Sequence, residues 1–211
     1  MKIPDPFSKL ESGSPMIDRK AKVERKTKET EVRILLDLDG KGESKINTSY
    51  PFLDHMLSLF CYHGFFDLEI SAKGDTQIDY HHLVEDVGIC LGEAVKNGLG
   101  EKKGIRRYGN CFVPMDEVLV QVALDISGRP LLVFNFPSQA ESGASDLELA
   151  KEFFQGFSSH SGITLHINLC YGNGVHHLME AIFKAFALSL DEATSREHRR
   201  REVPSTKETL E

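Results

Sequence analysis

The chain has 211 residues, with 25 Lys and Arg against 32 Asp and Glu, a formal net charge of −7. Its 40% hydrophobic and 27% charged residues give a globular composition, long enough for one large or two small cores and neither disordered nor fibrous. The acidic balance argues against nucleic-acid binding driven by phosphate charge, and no apolar run reaches the roughly 20 residues of a membrane span.

Residues 1–22 mix Pro, Ser, Gly and charge without periodicity and are expected to form a mobile arm. Residues 30–38 (TEVRILLDL) predict a strand that ends at the turn DGKG, from which a short polar strand at 43–48 returns. A helix is expected over 52–62, stopped by Gly64, then an alternating strand at 67–72, then a helix over 80–97 closed by Gly98 and Gly100. The order recurs: strand 118–126, turn 127–130, strand 131–136, helix 147–157, strand 163–169 and helix 175–190. Cys61, Cys90, Cys111 and Cys170 have no CxxC spacing and read as reduced core residues of a cytoplasmic protein.

The recurrence extends to residues. His81-His82-Leu83-Val84-Glu85 superposes on His176-His177-Leu178-Met179-Glu180 at an offset of 95. The apolar stripe Val84, Val87, Leu91 then falls on Met179, Ile182, Phe186. This points to an internal duplication: an α+β fold of two similar half-domains, 23–103 and 104–195, each a β-sheet packed with two helices, followed by a tail at 196–211.

A helix turns about 100° per residue, so His81 and Glu85 lie within about 40° of each other and His82 about 100° away, all off the apolar stripe. His81 and Glu85 are therefore placed to share one ion while His82 reaches another, and the second copy repeats this. A single histidine at a helix start is usually a cap or solvated; two matched doublets favour metal. Cysteine is absent from both clusters, which favours an open site over a closed structural zinc. Mixed imidazole and carboxylate ligation admits Mn, Fe, Co or Zn. A dinuclear hydrolase that activates water fits the same ligands. An RNA-binding module lacks its basic face, and the Glu-x-x-His order of di-iron bundles is reversed here.

The chain resembles the imidazoleglycerol-phosphate dehydratase family from about residue 24 to 210. The resemblance rests on Thr27-Lys28-Glu29-Thr30, Phe52-Leu53-Asp54-His55-Met56-Leu57, Asp79-Tyr80-His81-His82 with Glu85-Asp86, and Val113-Pro114-Met115-Asp116-Glu117. It continues through Leu124-Asp125-Ile126-Ser127-Gly128-Arg129-Pro130, Thr164-Leu165-His166-Ile167, His176-His177 with Glu180, Phe183-Lys184-Ala185-Phe186, and Pro204-Ser205-Thr206-Lys207. It implies a duplicated fold like the second domain of small-subunit ribosomal protein five, a 24-subunit homo-oligomer whose trimers complete the active sites, and two Mn²⁺ that bind a phosphorylated imidazole substrate. It also implies a cytoplasmic lyase of histidine biosynthesis, which dehydrates imidazole glycerol phosphate to imidazole acetol phosphate without nucleic-acid or membrane partners.

Carried over by position, the resemblance gives one ion to His55, His82, His176 and Glu180, and the other to His81, Glu85, His177 and a residue on the first helix of the second half. Many relatives have histidine at that last place and this chain has Glu152, with His166 as the fallback. Glu152 precedes His176 by 24 residues much as His55 precedes His81 by 26. Gly174 stands where the family often has Asn, and Leu59 replaces a common glutamine. Of the ion ligands, His55, His81, Glu85 and His176 also fall at substrate-contacting positions. Glu29 is the candidate for moving substrate protons, with Glu180 assisting from its metal. Arg107, Arg129, Lys184, Ser205 and Lys207 match positions that bind substrate or its phosphate, and His63 lies in a substrate-contacting stretch.

Overall fold

The computed structural model describes residues 18–136 and 144–210. In chain order the elements are β1 (Lys20–Lys26), β2 (Thr30–Asp37), β3 (Ser44–Asn47), α1 (Pro51–Gly64), β4 (Asp67–Gly74) and α2 (His81–Leu99). The second set is β5 (Tyr108–Met115), β6 (Val118–Asp125), β7 (Leu131–Asn135), α3 (Ala144–Ser161), β8 (Thr164–Tyr171) and α4 (Val175–Thr194). Each set forms one mixed sheet, in the orders β1-β2-β4-β3 and β5-β6-β8-β7. Identical topology at the repeat offset establishes the duplicated α+β fold.

Three local readings change. Of the expected arm, residues 1–17 lie outside the described residues, whereas Lys20, Ala21 and Lys22 belong to β1, paired antiparallel with β2. Arg19 anchors that strand, since its guanidinium pairs with Asp39 and donates to the Thr194 carbonyl at 2.6 Å. Second, β3 does not return against β2. It pairs in parallel with β4, and α1 is the crossover that a parallel pair requires. Third, residues 108–115 form an extra strand that carries Pro114. β5 pairs only with β6, so the missing amide of Pro114 is tolerated at the sheet edge.

The helices cover one face of each sheet, and their apolar stripes meet in a core rich in Phe60, Phe153, Phe154, Phe157, Phe183 and Phe186. α1 packs on α4 and α2 on α3, so each half lends its first helix to the other half's second. The α2–α3 approach depends on glycine. A Cβ on Gly88 would stand 2.2 Å from the Phe153 carbonyl oxygen, and one on Gly92 2.4 Å from that of Phe157. Of the cysteines, Cys61 and Cys90 are core residues whose thiols burial pushes up to about 12. Cys111 is half-buried and Cys170 is exposed, because β8 turns it away from the helix face; the expectation of four core cysteines is corrected.

Candidate metal centre and anion pocket

The helix exchange gathers helix N-termini at one end of the molecule. Tyr50, which precedes α1, stacks on Tyr80, which precedes α2, with ring centroids 4.0 Å apart, and Phe52 faces the His176 ring at 6.1 Å. His81 and His82 open α2 and His176 and His177 stand in the first turn of α4, so all four imidazoles lie at positive helix ends. Within each doublet the rings are splayed, at 86° for His81/His82 and 69° for His176/His177. Among the described residues, neither doublet contributes both of its rings to a group of convergent ligand atoms.

At the α1–α4 contact, His55, His176 and Glu180 bring their ligand atoms within 4.8 Å of one another. Both Nε2 atoms lie 3.1 Å from Glu180 Oε1, while Lys184 Nζ donates to Oε2 at 2.6 Å. Hydrogen bonding from Lys184, then from His55, holds the Glu180 carboxyl down at about 2, so it stays ionised although buried. Two imidazole nitrogens converging on one carboxylate oxygen are a donor set that fits a divalent transition ion. His63, near Lys184, is pushed below the ordinary imidazole value by burial and then by that ammonium charge.

The symmetry-equivalent region lies between α2 and α3. His81 and Glu152 line one cleft there with Tyr50, Asp79 and Tyr80. Glu85 is half-buried one helical turn below His81, and its carbonyl oxygen would lie 2.9 Å from a Cβ on Gly156. Glu152 stands nine residues before the last residue of α3, Ser161, a station matched by His55 nine before the last residue of α1, Gly64. His166 does not share it. It alternates with buried Leu165 and Ile167 on β8 and points to the sheet face opposite the helices.

Two expected ligands stand apart from these groups. His82 Nδ1 lies 3.1 Å from Asp75, and that hydrogen bond, with the charges of Asp75, Glu29 and Asp79, holds its imidazole above the ordinary value. His177 Nδ1 lies 2.9 Å from Glu117, close to Asp116, and is raised chiefly by the Glu117 hydrogen bond. The glycine at 174 makes room there, since Glu117 Oε1 sits 2.0 Å from where its Cβ would be. Glu29 is exposed in the β1–β2 turn, on the His82 side of the molecule.

The expected phosphate residues divide similarly. Arg107, Arg129, Ser205 and Lys207 line one cleft with Arg200, whereas Lys184 belongs to the Glu180 group. Arg107 is held by Asp125 through Nε at 2.7 Å and Nη2 at 3.1 Å, and its Nη1 donates to the Pro204 carbonyl at 2.8 Å. The tail is anchored and not frayed: Leu210 is buried and Lys102 donates to its carbonyl at 3.1 Å. Sequence reasoning missed Asp75, Glu117 and Asp125 as partners of these groups. Asp75 lies in the turn after β4, outside the repeated helical pattern; Glu117 and Asp125 lay within quoted motifs, but no spacing rule linked them to His177 and Arg107.

Fold and site define a class, an enzyme with a candidate imidazole–carboxylate metal centre at the α1–α4 contact and a cleft lined by Arg107, Arg129, Arg200 and Lys207. The family model described as imidazoleglycerol-phosphate dehydratase matches residues 48–190. Among curated relatives, imidazoleglycerol-phosphate dehydratase from Citrifermentans bemidjiense is 58% identical over 91% of this chain and 99% of its own length. That from Syntrophus aciditrophicus is 54% identical over 92% and 100%. The crystal structure of the Staphylococcus aureus enzyme aligns at 40% identity with a TM-score of 0.74, covering 84% of this chain and 99% of that one. The Pyrococcus furiosus enzyme, solved in complex with (S)-C348, aligns at 37% and 0.76, covering 89% and 100%. The chain belongs to the imidazoleglycerol-phosphate dehydratase family, hydro-lyases of histidine biosynthesis.

Proposed function

We propose that this dehydratase is metal-dependent and works on two divalent ions, Mn²⁺ being the candidate among the ions that mixed imidazole and carboxylate donors admit. One set is His55, His176 and Glu180 with His82, the other His81, Glu85 and Glu152 with His177. The observation that carries this reading is the pair of Nε2 atoms 3.1 Å from a single oxygen of ionised Glu180. When bound, such ions supply Lewis acidity that makes an imidazole-ring anion accessible near neutral pH.

The remaining work falls to side chains of the protein. Arg107 and Arg129 offer forked donors and Lys207 a point charge to the substrate phosphate, with Ser205 adding a hydroxyl. Asp125 holds Arg107 from both Nε and Nη2, so its free N–H groups point in a fixed direction. Glu29 exchanges protons with the substrate side chain. Because His82, His177 and Lys184 each stand with a different group from their expected partners, we assign completion of the site to a second copy of the chain. Trimers assembled into a 24-mer, in the cytoplasm, provide it.

Turnover of imidazole glycerol phosphate, measured before chelation, after it and after Mn²⁺ is restored, tests the proposal. Activity should vanish and return, with no hydrolysis of simple phosphate esters in any state. Undiminished dehydration by fully chelated protein would refute it.

A further inference from the structure

Asp86, the residue after Glu85 in the α2 motif, is buried, at 6% exposure, and belongs to neither group of convergent ligand atoms. Its two oxygens serve the first hairpin: Oδ1 accepts from Arg25 Nε at 2.7 Å, and Oδ2 accepts from the Thr30 hydroxyl. Thr30 Oγ1 lies 3.2 Å from Thr27 Oγ1. Thr27 Oγ1 in turn accepts from the backbone N–H of Glu29 at 3.1 Å and of Thr30 at 2.9 Å.

The direction of every proton in this chain follows from its buried end. An ionised carboxylate only accepts, so Thr30 must donate its single hydroxyl proton to Asp86. Thr30 Oγ1 is then the acceptor for Thr27, which leaves the lone pairs of Thr27 free for the two backbone amides. The turn that carries Glu29 is thereby fixed by a one-way relay rooted in the helix that carries His81 and His82. Glu29 itself is exposed and makes none of these bonds with its side chain, so the relay holds its backbone and leaves its carboxylate free.

We propose that Asp86, acting through Thr30 and Thr27, is a positioning residue that sets Glu29 against the substrate. This rests on the reading of Glu29 as the carboxylate that moves substrate protons. The relay supplies no ligand and no charge to the reacting atoms; it couples the proton-handling turn to the metal-bearing helix.

Thr30→Val removes the relay hydroxyl at nearly constant shape, and Thr27→Val breaks it one link further on. Both should lower kcat about 10- to 100-fold, the scale expected for a misplaced catalytic group, with KM and bound Mn²⁺ close to wild type. Thr30→Ser should recover most of the loss. Glu29→Gln combined with Thr30→Val should be no slower than Glu29→Gln alone, because a residue that acts through Glu29 has nothing left to position. Wild-type kcat in both valine variants would overturn the proposal, as would an additive loss in the double variant, the mark of a merely structural role. Wild-type turnover by Glu29→Gln would instead remove the Glu29 reading, and the proposal with it.

Discussion

Glu180 shows how much a single carboxylate coordinates. One oxygen faces two imidazoles, the other an ammonium, and burial makes each partner necessary. The sequence made His176 and Glu180 legible as candidates because the doublet is duplicated and chemically unusual, whereas His55 entered only through the family resemblance. It did not reveal that Asp75 and Glu117 hold His82 and His177, since a carboxylate in a turn carries no periodic signal. A structural carboxylate gives a cleaner pH test. Arg19 holds Asp39 below the ordinary value of 3.8, so its contribution is present above that pH and is lost as pH falls through the depressed value. Asp39→Asn should therefore cost about 1 kcal/mol in urea unfolding at pH 7, and the difference should shrink at pH 3. A cost that grew on acidification would contradict the assignment.

At the scale of elements, the site depends on two helix crossings related by the duplication. The helices were legible because their apolar stripes repeat; the strands were less so. β5 has Gly109, Asn110 and Pro114 where a strand pattern expects branched residues, and β1 turns only Val23 fully into the core. The parallel pairing of β3 was hidden because a good turn motif before it mimics a hairpin. The α2–α3 crossing is the more exposed to error, since backbone meets backbone at Gly88. Gly88→Ala should force the helices apart at a cost of about 1–3 kcal/mol. It should also weaken metal binding at the His81/Glu152 cleft more than at His55/His176/Glu180. Equal stability and equal metal affinity at both groups would show that the close approach is not what positions them.

For the whole molecule, duplication explains why two related helix crossings exist, and the proposed function completes each with a second copy of the chain. A helix exchanged between halves brings His55, His176 and Glu180 together. The C-terminal tail belongs to the same scale, because it closes the cationic cleft from beyond the last helix and is tied down by Arg107 and Lys102. Ending the chain after Val203 should raise the substrate KM sharply while bound metal stays full; unchanged KM would separate the tail from phosphate recognition. The central claim is the twin-ion centre, and counting metal in the assembled protein tests it most directly. After equilibration with Mn²⁺ and removal of the free ion, about two ions per chain are expected, with His176→Ala losing both metal and turnover. Wild-type protein that turns over substrate while binding no metal would contradict the account.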